Sequence, residues 1–118
     1  MYQISFYVPE NDVEQVKTAL FEAGAGKIGQ YSHCAWQVKG EGQFMPLNGS
    51  NAFIGEVDCL EKVIEYKVEM VCSKHCIHAV INALKKSHPY ETPAYHVIRM
   101  NSAFLTVRAE KIVKNTPP

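Results

Sequence analysis

Near the amino terminus, apolar and polar residues alternate one for one. Ile4, Phe6 and Val8 fall on one face and Gln3, Ser5 and Tyr7 on the other, the period of two that marks a half-buried strand. Pro9 ends it. The spacing then lengthens: Val13, Val16, Leu20 and Ala23 recur at helical intervals, which predicts an amphipathic helix over about residues 11–23. Asn11 is a candidate cap, with Glu14 in the place of a capping-box partner. Gly24 stops the helix where the chain needs a left-handed cap.

A second strand is expected next. Cys34, Trp36 and Val38 share one face, and Tyr31, His33, Ala35 and Gln37 share the other. The first set reads as core, with Cys34 packed beside Trp36. His33 then faces the open side of the sheet. From Gly40 to about Leu60 the sequence turns irregular, with Gly40, Gly42, Pro46, Gly49 and Gly55. Loops of that length are usually functional or ordered by a partner. Phe44, Met45, Phe53 and Ile54 are expected to pin it to the body or to a neighbouring subunit.

The third strand is the clearest: Ile64, Tyr66, Val68, Met70 and Cys72 alternate with Val63, Glu65, Lys67, Glu69 and Val71. Ser73 is a candidate cap for a second helix, whose buried stripe is Ile77, Val80, Ile81 and Leu84. That helix must end near Ser87, because Pro89 disfavours helical geometry at His88. A fourth strand is expected from about Pro93 to Met100. The apolar run Phe104-Leu105-Thr106-Val107 suggests a further edge strand or a pairing with another chain, and residues 115–118 are expected to fray.

The order is strand, helix, strand, strand, helix, strand. Two such halves pack most simply as an α+β, ferredoxin-like βαββαβ domain: an antiparallel four-stranded sheet with two helices on one face. Residues 1–118 read as a single domain, with 102–118 as an extension of it. The other face of the sheet is left bare, and bare faces carrying apolar residues are often covered by self-association. A homo-oligomer, dimer or trimer, is the expected state.

Composition narrows the function classes. The chain has 118 residues, enough for one core. Lys+Arg and Asp+Glu are both 12, so no net field pulls on nucleic acid or anionic lipid. No apolar stretch is long enough to span a membrane. The first residues go directly into strand pattern, with no basic region followed by an apolar one. A cytoplasmic location is the expectation, with neither nucleic acid nor membrane as a partner. Cys34, Cys59, Cys72 and Cys76 then read as free, structural thiols.

Three motifs invite a chemical reading, and two lose it on geometry. Gly24-Ala25-Gly26-Lys27-Ile28-Gly29 has the look of a phosphate loop, but its glycines close a helix instead of opening one, and no Ser or Thr follows Lys27. Cys72-Ser73-Lys74-His75-Cys76-Ile77-His78 holds four possible metal ligands at a spacing that fits no standard zinc pattern. His88-Pro89-Tyr90-Glu91-Thr92-Pro93-Ala94-Tyr95 carries more. Two prolines bracket a Tyr-Glu pair, making a stiff connector at a helix C-terminus. A His and a carboxylate held there could bind a metal or move a proton, or they could satisfy backbone groups of the turn and the long loop.

The motif His88-Pro89-Tyr90-Glu91-x-Pro93 also resembles the C-terminal signature of CutA-like proteins, small trimeric domains related in fold to PII signalling proteins. A wider set of residues is closer still to one family. Gly24-Ala25-Gly26-x-Ile28-Gly29-x-Tyr31-x-x-Cys34-x-Trp36, Gly40-x-Gly42-x-Phe44-x-Pro46, Gly49, Ile54-Gly55, Glu61, Glu65 and His88-Pro89-Tyr90-Glu91-x-Pro93-Ala94-Tyr95 resemble the PII/CutA-like domain inserted in NIF-three-like (YqfO-type) proteins. The likeness is greatest to stand-alone bacterial versions of that domain. In full-length members the dinuclear metal site lies in two flanking halves, to which nothing in this sequence corresponds. The resemblance therefore implies the fold and the tendency to assemble, and no cyclohydrolase activity. Ser50-Asn51-Ala52 departs from the pattern where proline is common, and the Cys72–His78 stretch looks peculiar to this chain.

The expected function is a non-enzymatic, oligomeric binding or regulatory module with a small-molecule or protein partner. No residue is assigned a catalytic role, because no nucleophile, base and orienter come together in the pattern. The candidate ligand-binding residues are His88, Tyr90, Glu91, Tyr31, His33 and Phe44. The alternative is a divalent-metal-binding protein using His88 and Glu91, with a metal ion as its cofactor.

Overall fold

The alternating amino-terminal segment forms β1 (Tyr2–Pro9), and its apolar face is the floor of the core. The computed structural model describes residues 1–101, so the Phe104–Val107 run and the frayed end expected beyond it lie outside the described residues. A 3-10 turn at Glu10–Asp12 follows β1. Then come α1 (Val13–Glu22), β2 (Trp36–Phe44), β3 (Glu61–Cys72), α2 (Ile77–Ser87) and β4 (Tyr95–Arg99). The four strands form one antiparallel sheet in the order β2-β3-β1-β4. Strand β3 thus sits between β1 and β2, which is the split arrangement of the ferredoxin-like fold.

Register decides which residues meet. Ile4 lies opposite Met70 and Val97, and Phe6 opposite Val68 and Tyr95. Those side chains share the face covered by the helices. Val13, Val16 and Leu20 of α1 and Ile77, Val80 and Leu84 of α2 close the core over them. Ile4, Phe6, Val8, Val16, Leu20, Val68, Val80 and Leu84 are fully buried. Each such side chain contributes roughly 1.5–3 kcal/mol by leaving water. Gly24 closes α1 as expected, at φ +114°. The Ala25 N–H bonds to the Leu20 carbonyl and the Gly24 N–H to that of Phe21, the paired bonds of a Schellman end.

Both helix starts differ from expectation. Asn11 does not cap α1: the 3-10 turn intervenes, Asp12 occupies the cap position, and no side chain caps the helix. Ser73 does not cap α2 either. Its carbonyl accepts the Cys76 N–H in a turn, and the helix begins at Ile77. In each case a short turn precedes the helix, the 3-10 turn of Glu10–Asp12 before α1 and the Ser73–Cys76 turn before α2.

The second strand differs more. Tyr31 forms only an isolated bridge with Ile28, and the ladder runs from Trp36 to Phe44, through Gly40 and Gly42. Trp36 pairs with Glu69 and Val38 with Lys67, so both lie on the open face and are 57% and 45% exposed. Cys34 precedes the strand and is not part of the core. The physical reason is pairing: β2 is an edge strand, and the inward set of β3 faces Gln37 and Lys39 across the ladder. The irregular stretch shrinks accordingly to residues 45–60. Residues 61–64 of β3 extend past the last β1 pair, Pro9 with Glu65, and are paired only with β2. This overhang is where the site forms.

Candidate functional site

Pro89 keeps His88 out of the helix, and its backbone is extended, with φ −74° and ψ 136°. From there the imidazole turns back beneath β1. Its Nε2 donates to the Tyr7 carbonyl at 2.6 Å, and its Nδ1 accepts the Tyr90 N–H at 3.1 Å. These partners assign the proton to Nε2 and hold the ring neutral. His88 is buried. That burial pushes its pKa below the ordinary value, with the Tyr7 carbonyl and the Asp12 carboxylate pulling the other way.

The second of these bonds anchors the backbone of Tyr90 beside the imidazole. Its ring centroid lies 5.1 Å from that of His88, 5.8 Å from Phe44 and 6.4 Å from Phe53, within the range of tilted aromatic contacts. Phe44 ends β2 and Phe53 comes from the long loop, so Tyr90 joins three separate segments. Its hydroxyl is buried and has no hydrogen-bond partner among the described residues. Burial, then the Glu65 and Asp12 carboxylates, push the phenol pKa up. Next along the chain, Glu91 Oε1 accepts the Asn51 N–H at 3.2 Å and fastens the loop to the connector.

The result is a cleft of about 500 Å³ between the loop and the open face of the sheet. Small-molecule sites span roughly 300–1,000 Å³. Tyr7 and Glu65 form its floor, Phe44, Phe53 and Tyr90 its walls, and Glu91 its rim. Glu65 enters the cleft because residue 42 is glycine: a Cβ at Gly42 would overlap the Glu65 carboxylate. Partial burial pushes the Glu65 pKa up.

The sequence-derived candidates separate into two groups. Phe44, Tyr90 and Glu91 line the cleft, while His88 stands behind it as the group that orients Tyr90. Tyr31 and His33 lie elsewhere. The turn that carries them is tied to β3 through the Gly26 N–H and the Val71 carbonyl. Val71 is about 20 Å along the strand from Glu65 at the usual rise per residue. His33 is not on the sheet. It has φ +59°, its Nδ1 lies 2.9 Å from Ser32 Oγ, and its ring lies 4.8 Å from Phe21. The expected joint site of Tyr31 and His33 with His88 therefore does not form.

The metal reading of His88 and Glu91 meets a similar obstacle. Both imidazole nitrogens are engaged with backbone groups, so neither is left as a metal ligand. Among the described residues, no three His, Cys, Asp or Glu side chains gather as a metal site would need. The cleft also contains residues that the sequence reading did not assign to a site. Tyr7 and Glu65 looked like the solvent side of two strands, and Gly42 like part of an irregular loop. Gly42 and Glu65 stand among the residues that carry the family resemblance, and Gly42 also sits at a strand-compatible position, where a glycine marks the close approach of another group.

Comparison with known proteins finds relatives of much greater length. A GTP cyclohydrolase 1 type 2 homolog of Bacillus subtilis is 53% identical over 95 residues, which covers 80% of this chain and 26% of the relative. The chain thus spans about a quarter of that relative's length. The crystal structure of a Bacillus cereus protein related to NIF3 superposes with a TM-score of 0.72 and 36% identity, over 85% of this chain and 25% of that one. The PII-like protein CutA of Nostoc sp. PCC 7120 superposes with a TM-score of 0.64 and 17% identity, over 93% of this chain and 91% of that one. At that identity the likeness speaks for the fold alone. No family model matches the chain. With its four-stranded antiparallel sheet and two helices among the described residues, the chain has a PII/CutA-like fold, and over most of its length it is similar to part of the YqfO-type, NIF3-related proteins.

Proposed function

We propose that this domain is a non-enzymatic binding or regulatory module whose ligand occupies the cleft beneath the 45–60 loop. The observation that carries the reading is the aromatic cluster of Phe44, Phe53 and Tyr90, held over Glu65 by the His88 and Glu91 bonds. A concave, largely apolar site with a few fixed polar groups is the usual form of a small-molecule site. The relatives are named as homologs of a cyclohydrolase, and the chain spans about a quarter of their length, so that activity does not carry over to it. Among the residues lining the cleft, no nucleophile stands in hydrogen-bond contact with a base. The metal-binding alternative has no observation in its favour once both nitrogens of His88 are engaged.

The module is further proposed to work as a homo-oligomer. Trp36, Val38 and Ile98 are exposed on the open face of the sheet, and a second copy would remove them from water. A cytoplasmic location fits the four unbridged cysteines, one of them, Cys59, exposed. No described helix is long and apolar enough to cross a membrane.

The test is a screen of cationic, neutral and anionic metabolites against the isotope-labelled protein. The expected result is a compound that shifts the amide signals of Phe44, Phe53 and Tyr90 and loses that effect in Phe53→Ala. If no compound of the three classes moves those signals, the cleft is not a ligand site.

A further inference from the structure

We infer that the cleft selects an organic cation: an ammonium or guanidinium group carried on a compact apolar body. The inference rests on the reading that the cleft holds a ligand, and it names the chemical class of that ligand.

The wall chemistry has one sign. Glu65 and Glu91 are the carboxylates of the cleft, and no Lys, Arg or His side chain lines it. Lys67 lies two residues further along β3 on the same face, but it does not line the cleft. Among the described residues, neither Glu65 nor Glu91 belongs to an ion pair; the pairs present are Lys17 with Glu14 and Lys39 with Glu10. Glu91 uses Oε1 on the Asn51 N–H, while Glu65 has no hydrogen-bond partner within the described residues. The Glu65 carboxylate is instead laid against Gly42, in partly apolar surroundings. A partly buried carboxylate with no protein partner is open to pairing with a charge of the opposite sign.

The walls set the rest. Three aromatic rings from three segments, Phe44, Phe53 and Tyr90, meet at centroid distances of 5.8 and 6.4 Å. Aromatic faces attract cations and are the recurring means of holding alkylated ammonium groups. An anion would face two carboxylates with no compensating donor charge. A bare divalent ion would find too few ligands, since no three His, Cys, Asp or Glu groups converge among the described residues. Charge complementarity and apolar walls together call for a cation with an apolar body.

Matched probes separate charge from shape. Choline and its neutral carbon isostere 3,3-dimethyl-1-butanol fill the same volume, as do benzylammonium and benzyl alcohol. Each is titrated into the labelled protein, with Gly42, Phe44, Phe53 and Tyr90 as reporters. The expected result is that the cation of each pair binds at least about tenfold more tightly than its isostere. In Glu65→Gln that preference is expected to fall to about threefold or less. The amide spectrum of the variant serves as the folding control. Gly42→Ala, which displaces the same carboxylate without removing it, should also lose the preference. If the neutral isosteres or an anionic metabolite bind as tightly as the cations, the charge inference fails while the cleft remains a ligand site. If no cationic, neutral or anionic probe moves the reporters, both fail.

Discussion

His88 Nε2 donates to the backbone carbonyl of Tyr7 at 2.6 Å, tying the end of α2 to the end of β1 across 81 positions of sequence. The bond needs a neutral ring whose other nitrogen accepts the Tyr90 N–H. Burial accordingly holds the folded-state pKa below 6.5. The unfolded chain takes up the proton first. His88 therefore contributes stability that is complete above about pH 6.5 and declines as pH falls through that value toward the folded pKa. Denaturant melts between about pH 8 and pH 5 should show this decline in the wild type. In His88→Ala the decline should be absent. That variant should also lose about 1–3 kcal/mol at neutral pH, because the half-buried Tyr7 carbonyl and Tyr90 N–H lose their partner.

Gly42→Ala should leave the fold nearly untouched and disturb the cleft. The added Cβ overlaps the far end of a flexible Glu65 side chain, which swings aside at little cost. Stability is expected to change by no more than about 0.5 kcal/mol. The Glu65 carboxyl, no longer held in partly buried surroundings, should titrate nearer its ordinary range than in the wild type. A carbon-detected titration of the Glu65 side chain reads this directly. An unshifted Glu65 in the variant would mean that Gly42 does not position it.

Glu91→Ala removes the acceptor of the Asn51 N–H. The expected outcome is faster amide exchange at Asn51 and faster proteolysis within residues 45–60, with little change in global melting. Exchange at Asn51 equal to the wild type would show that the loop is held by Phe53 and Tyr90 alone.

The glycines should divide by conformation and space. Gly24 sits at φ +114°, and a Cβ there would lie 2.7 Å from Cys76 Sγ. Gly24→Ala should destabilise the protein by more than about 1 kcal/mol. Gly40→Ala, with nothing within 4 Å of the added carbon, should be neutral or slightly stabilising. Thermal melts of the two variants side by side provide the measurement.

Trp36→Glu tests the proposed assembly. Trp36 is 57% exposed, so the substitution should scarcely alter the stability of one copy. Light scattering should show a shift toward monomer. An unchanged mass would move the assembly surface off the open face.

The sequence by itself determined the element order, the inward faces of β1 and β3, the buried stripes of both helices and the stop at Gly24. These are local decisions. Periodicity of two or of about 3.6 sorts residues within one element, and a glycine or proline ends it, with no need of distant partners. The sequence also pointed to the His88–Glu91 connector, since a stiff polar segment between prolines stands out in one dimension. Tertiary structure decided what pairs with what. Trp36 and Val38 alternate as a core face would, yet register with Glu69 and Lys67 turns them to the open side. Tyr31 and His33 look like strand neighbours of the site, and the Gly26–Val71 bond places them at the far end of the sheet. Tyr7 and Glu65 read as solvent-facing, and the cleft forms over them only when the 45–60 loop is fastened by Glu91 and packed on Tyr90. His88 itself changed meaning: a free imidazole in the sequence became, in the fold, a doubly engaged ring that orients Tyr90. The physical reason is common to all of these. A side chain's periodic position fixes its face, but its partners are set by strand register and loop closure, which join residues far apart in the chain.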